Sequence, residues 1–214
     1  MTEILLIRHG ETVWNQQGRM QGQNDSPLTP NGLQQARLLG RRMKDVSFSA
    51  LYSSDLGRAH QTARCIADAS GHDVISDAGL RERHFGIFEG LTNTEIKQRH
   101  PEDYELFAKR DPQFAMEGGE SANQFRDRVV STLDAIAQRH EGETIVVVSH
   151  GLVLDAIYRT ACRMELHVAR GFPLLNCSVN TFRRGPEGWL AVSVCDVTHL
   201  SSDEVTRFSD ATVG

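Results

Sequence analysis

No apolar run in these 214 residues approaches the ~18 residues a membrane-spanning helix needs, so the sequence offers no transmembrane helix. Cysteine is scarce, with only Cys65, Cys162, Cys177 and Cys195, and no two fall in C-x-x-C spacing. That leaves no thiol-redox motif or thiolate metal site to read. The four sit inside helix-like or strand-like runs and read as small buried hydrophobes in a reducing compartment. A basic surplus is also missing: 23 Lys and Arg face 28 Asp and Glu, a net charge of -5, which argues against a nucleic-acid partner. Nine histidines could feed a metal, yet neither H-E-x-x-H nor a close His/Asp ligand spacing occurs. No metal and no cofactor are therefore expected. The start, MTEILLIR, has neither a basic n-region nor a processing site, and the expected location is cytoplasmic. Repeats and low-complexity tracts are absent as well.

What is present alternates. With 39% hydrophobic residues, a chain of this length can bury the core of one domain. Residues 3–8 read as a strand buried on both faces. Thr29-Pro30 starts a helix, a hydroxyl cap followed by proline, that keeps Leu33, Ala36, Leu39 and Met43 on one face. A strand over 48–53 leads to a helix capped by Ser54 or Asp55, with Leu56, Ala59, Ala63 and Ile66 as its stripe. Residues 73–76 form another strand. The 79–120 stretch is polar and Gly-marked, with two short helices, the second opening at Pro101; it reads as a substrate-side insertion. A long helix runs from Ser121, a strand over 144–149, and a helix from Leu152. Strands near 177–184 and 189–196, joined by RGPEG, close the fold and offer an edge for a homodimer. The domain spans 1–200, and 201–214 reads as a loose tail.

Strands alternating with helices predict an α/β fold: a mainly parallel central sheet between two helical layers. In such sheets ligands bind at the carboxyl ends of the strands. Two buried strands end there in a histidine followed by glycine: LLIRHG delivers Arg8 and His9, and VVVSHG delivers His150. Arg58 lies in the first turn of the helix after the 48–53 strand, and Glu82 follows the 73–76 strand. Two guanidiniums suit a phosphoryl group, and helix N-termini add donors aimed the same way. An imidazole in that pocket can attack phosphorus and carry the group. A carboxylic acid such as Glu82 can protonate the leaving alkoxide, given a raised pKa.

The ordered set LLIRHGETVWN, SSDLGRAHQTA, LRERHFGIFEG, EGGES and VVSHG resembles the histidine phosphatase superfamily, the phosphoglycerate mutase-like family, over residues 3 to 200. The resemblance implies a three-layer α/β/α fold and phosphohistidine chemistry without metal. It makes His9 the nucleophile and Glu82 the general acid, with Glu89 the competing carboxylate. Arg8, Arg58 and His150 become phosphate ligands, with Asn15 and Gln21 as further contacts and Glu11 as support. Trp14 reads as packing; His60, His84 and His100 carry no case. The substrate class is a small phosphate ester.

Two other classes compete. A metal hydrolase would need ligands in a spacing the sequence lacks, and a non-catalytic phospholigand module would need neither His9 nor Glu82. Within the family, a mutase must hold a doubly phosphorylated intermediate and shield the phosphoenzyme from water. Only 68 positions separate Glu82 from His150, and 103–120 pairs Lys109 and Arg110 with five acids. Such a short segment of mixed sign fits a phosphatase better than a cofactor-dependent mutase.

Overall fold

A computed structural model describes residues 1–205. The chain runs β1 (Thr2–Arg8), a single turn α1 (Val13–Gln16), α2 (Pro30–Met43), β2 (Ala50–Ser53), α3 (Gly57–Ser70) and β3 (Val74–Ser76). It continues through α4 (Asn93–Arg99), α5 (Pro101–Ala108), α6 (Ala122–Arg139), β4 (Thr144–Ser149), α7 (Gly151–Cys162), β5 (Val179–Gly185) and β6 (Gly188–Asp196). The strands form one sheet in the order β3-β2-β4-β1-β5-β6. The first four in that order are parallel, and β5 and β6 complete it antiparallel.

Helices cover both faces, which is why the central strands read as unbroken apolar runs. On one face Ile4, Leu6, Ile145 and Val147 pack against Phe125, Val129 and Leu133 of α6 and Val153 and Ile157 of α7. On the other, Ile7, Val146 and Val148 meet Leu39 and Met43 of α2 and Ala59, Ala63 and Ile66 of α3. A third cluster joins Met20 to Phe85, Phe88, Ile96 and Met116. The 79–120 stretch thus carries a small core of its own, seated on the loop that follows α1.

Register positions the site. Arg8 pairs with Ser149 across β1 and β4, so the next residue on each strand, His9 and His150, leaves the sheet beside the other.

Local details differ from the sequence expectations. The caps proposed at Ser54 or Asp55 are not used: α3 starts at Gly57 behind Leu56, which has no capping group. Asp25 serves instead from a distant loop, its Oδ1 accepting the Arg58 N–H at 3.3 Å. α7 begins at Gly151 rather than Leu152, with His150 as its N-cap. β2 is shorter than the 48–53 run, and Phe48 stacks on His72 with ring centroids 4.0 Å apart. Cys177 is buried, but Cys162 is exposed, so the buried-hydrophobe expectation fails there. The expected tail falls mostly outside the described residues; its first part turns at Ser201–Glu204, and the Glu204 carbonyl accepts from Gln35 Nε2 at 2.7 Å. Among the described residues no helix is long and apolar enough to cross a membrane.

Candidate active site

The end of β1 is tied down on three sides. His9 N donates to Ser149 O at 2.9 Å, Asn176 Nδ2 to His9 O at 2.9 Å, and Cys177 N to Arg8 O at 3.0 Å. The His9 ring turns its Nδ1 to the Gly10 carbonyl at 2.7 Å. A carbonyl only accepts, so Nδ1 holds the proton and Nε2 presents a lone pair. Burial first, then the Arg58 and Arg8 charges, hold the His9 pKa well below the usual imidazole value. The ring is therefore neutral near pH 7, the form that can attack phosphorus.

His150 lies beside it, with ring centroids 5.3 Å apart. Its Nε2 is 2.8 Å from Ser54 Oγ, while Nδ1 is buried without a hydrogen bond. Burial, followed by Arg58 and the neighbouring His9, keeps this ring neutral too. The glycines after the two histidines answer to close packing. A methyl on Gly10 would stand 2.6 Å from the Gly32 carbonyl, and one on Gly151 would meet Leu174 Cδ1 at 3.2 Å and Arg8 Nε at 3.4 Å.

Two buried guanidiniums face the rings. Arg8 donates through Nη1 to the Leu174 carbonyl. Arg58, 2% exposed, is gripped by one loop: Nη1 donates to Asn24 O at 2.7 Å and Asp25 Oδ1 at 3.0 Å, and Nη2 to Gly22 O at 2.7 Å. Its Nε is buried with no hydrogen bond. Asp25 therefore both caps α3 and orients the guanidinium.

Glu82 sits against the start of α7. Its Oε1 accepts from Arg83 N at 2.9 Å and its Oε2 from Leu152 N at 3.1 Å. Burial raises its pKa against the pull of those two donors and of Arg58 and Arg8. Glu89 differs. Its oxygens accept from the backbone N–H groups of Gln23 at 2.8 Å, Phe85 at 2.9 Å and Asn24 at 3.0 Å, stapling the loop that holds Arg58. Of the two carboxylates, Glu82 is the one set against the arginines.

The remaining residues separate by geometry. Gln21 is buried, and its Oε1 has no hydrogen bond, directly before the loop that holds Arg58. Asn15 spends its Oδ1 on the Thr12 N–H and hydroxyl, both at 3.1 Å, as the closing residue of a capping box. Glu11 accepts from Thr29 Oγ1 at 2.5 Å and Gln16 Nε2 at 2.8 Å, bracing the loop after β1 on the start of α2. Trp14 covers Gly90. Sequence reasoning took Ser54 only for a cap and did not single out Asp25. Ser54 stands inside the quoted stretch SSDLGRAHQTA and Asp25 four positions after Gln21, and only tertiary contacts give them their partners. Among the described residues no group of three or more His, Cys, Asp or Glu side chains is placed to hold a metal ion.

A nucleophilic lone pair, two arginines, a second imidazole and a buried carboxylic acid around one rim can carry out phosphoryl transfer. Comparison with known proteins points the same way. Residues 4–197 match the model of the histidine phosphatase superfamily, branch 1. The metal-independent phosphoserine phosphatase of Arabidopsis thaliana is 43% identical over 205 residues, covering 94% of this chain and 84% of that protein. The probable phosphoglycerate mutase GpmB of Serratia proteamaculans is 37% identical, over 97% and 100%. The phosphoserine phosphatase of Entamoeba histolytica in complex with 3-phosphoglyceric acid superposes with a TM-score of 0.83 at 33% identity, over 94% of this chain and 100% of that one. This chain belongs to the histidine phosphatase superfamily, branch 1, as one of its phosphomonoesterases.

Proposed function

We propose that the enzyme hydrolyses a small phosphorylated metabolite, phosphoserine foremost, through a phosphohistidine on His9 and without a metal. The observation that carries this is the His9 ring, whose Nδ1–H is held by Gly10 O, leaving Nε2 with a lone pair on a ring that feels the charges of Arg58 and Arg8. In the first half, Nε2 bonds to phosphorus, the ester P–O bond breaks, and the leaving oxygen takes the proton of Glu82. Arg8, Arg58 and His150 carry the charge of the transferring group, with Gln21 and the Asn15 amide at its edge. In the second half, water attacks phosphorus, Glu82 takes its proton and the N–P bond breaks.

The leaving group departs on the Glu82 side. Beyond Arg83 and Leu152, whose backbone N–H groups meet Glu82, lies a cavity of about 210 Å³ lined also by Phe107, Arg110, Phe114 and Asp155; none of Arg8, His9, Arg58, Glu82 and His150 lines it. Support for phosphoserine is the similarity to two phosphoserine phosphatases. The probable mutase at 37% identity supports a second reading, transfer between the hydroxyls of a phosphoglycerate; the acids of the 103–120 segment weigh against it. The same proposal places the enzyme in the cytoplasm, acting on a free metabolite rather than nucleic acid or membrane. The β6 edge, with Leu190 and Val192 exposed, would serve a homodimer. The test is a panel of phosphoserine, 3-phosphoglycerate and alkyl phosphates in excess EDTA. Free phosphate released fastest from phosphoserine supports the proposal; migration outpacing release means a mutase, and activity lost in EDTA and restored by a divalent ion means a metal enzyme.

A further inference from the structure

The two rim histidines are held by different partners, and the difference decides what each offers a phosphoryl group. We infer that Ser54 is a positioning residue: its hydroxyl donates to His150 Nε2 and so keeps the ring proton on Nδ1, aimed at the phosphate. Both rings then share the Nδ1–H form but turn opposite ends to the site. His9 shows a lone pair, and His150 shows a donor.

Counting hydrogens around Ser54 gives the direction. The side chain is fully buried. Its Oγ lies 3.3 Å from Leu56 N and 2.8 Å from His150 Nε2. The Leu56 N–H can only donate, so Oγ accepts there. The hydroxyl's own hydrogen needs an acceptor, and among the described residues His150 Nε2 is the one in reach. Were the proton on Nε2 instead, Ser54 would accept twice and leave its hydrogen buried and unbonded. His150 would then turn a lone pair toward phosphoryl oxygens. A stranded buried polar group costs more than a formed hydrogen bond returns. With Ser54 as donor, the group left over is the His150 Nδ1–H, the atom buried without a partner. An incoming phosphoryl oxygen satisfies it.

The tautomer matters because the ring is neutral. A charged imidazolium donates from both nitrogens whatever its neighbours, but a neutral ring has one N–H to place. The inference rests on the phosphatase reading only for what that N–H is used for; its location is a property of the free protein.

The test is long-range proton–nitrogen correlation NMR on protein with nitrogen-labelled histidine, free of ligand, near pH 8. His150 is identified by the signals lost in His150→Gln. We expect wild-type Nδ1 to resonate as a protonated nitrogen and Nε2 as a lone-pair nitrogen. Ser54→Ala should move the pair toward the Nε2–H form and lower kcat/KM about tenfold, the scale of one net hydrogen bond; Ser54→Thr should restore both. A wild-type His150 protonated on Nε2 overturns the assignment and needs no variant that might fail to fold. An unchanged tautomer in folded Ser54→Ala does the same. If no phosphate ester is turned over, the phosphatase reading fails while the tautomer result stands on its own.

Discussion

Glu82→Gln separates the acid role of this side chain from a structural one. Both carboxyl oxygens accept backbone hydrogens, from Arg83 N at 2.9 Å and Leu152 N at 3.1 Å. Glutamine can meet only one of them with an oxygen. Its NH2 must face the other N–H, a mismatch of about 1–3 kcal/mol that should appear as lost stability and affect every substrate equally. The chemical loss does not act equally. An alkyl phosphate leaves as a strongly basic alkoxide, whereas p-nitrophenolate departs with little need of a proton. General acid help is worth ~10²–10⁴ in rate. Glu82→Gln should therefore slow phosphoenzyme formation from an alkyl phosphate at least about tenfold more than from p-nitrophenyl phosphate. Rapid-quench single turnovers read this step alone; steady-state rates would mix in the water attack that both esters share. Equal slowing of the two esters would refute the acid role and leave Glu82 as a strut between the 82–83 turn and α7.

Other consequences can be checked in parallel. Arg58→Lys replaces a fork that meets Gly22 O, Asn24 O and Asp25 at once with a point charge, so kcat/KM should fall by about two orders of magnitude with the circular dichroism spectrum retained; unchanged kinetics would mean the guanidinium does not reach the phosphate. Gly32→Ala puts a methyl 2.0 Å from the Glu11 carbonyl, backbone against backbone, and should cost about 1–3 kcal/mol or more by urea denaturation; a neutral effect would contradict the close packing of the loop after β1 on α2. Burial and the arginines hold His9 and His150 well below 6.5, so the unfolded chain takes up those protons first as pH falls. Their contribution to stability is complete above about pH 6.5 and is lost as pH drops toward the folded values, at up to ~1.4 kcal/mol per pH unit for each ring. His150→Gln should flatten that slope by about one ring's share; an unaltered slope would mean the ring is not buried neutral.

The strands of the core were legible because burial on both faces leaves an unbroken apolar run, as in residues 4–7 and 145–148. The rim followed from a topological rule, since parallel strands such as β1 and β4 end side by side. The structure brings Arg8, His9, Arg58, Glu82 and His150 together at that edge. Less legible was whatever depends on partners far along the chain. Ser54 looks like a helix cap in one dimension and becomes the hydrogen-bond partner of His150 only across β2 and β4. Asp25 caps α3 from 33 positions away. Glu82 and Glu89 flank the same short segment and have the same chemistry; what separates them is which backbone N–H groups each one meets, and no local pattern encodes that. The one-turn helix α1 is too short to leave a periodic signature, although its Thr12–Asn15 box has the spacing of a cap.

Trapping the phosphoenzyme tests the central claim most directly. Rapid mixing with phosphoserine and quenching in base should give a protein heavier by one phosphoryl group, stable in alkali, labile in acid, and located by peptide mapping on His9. The His9→Ala protein should hold none and lose nearly all turnover. Phosphate found on another side chain, or full turnover by His9→Ala, would contradict the account.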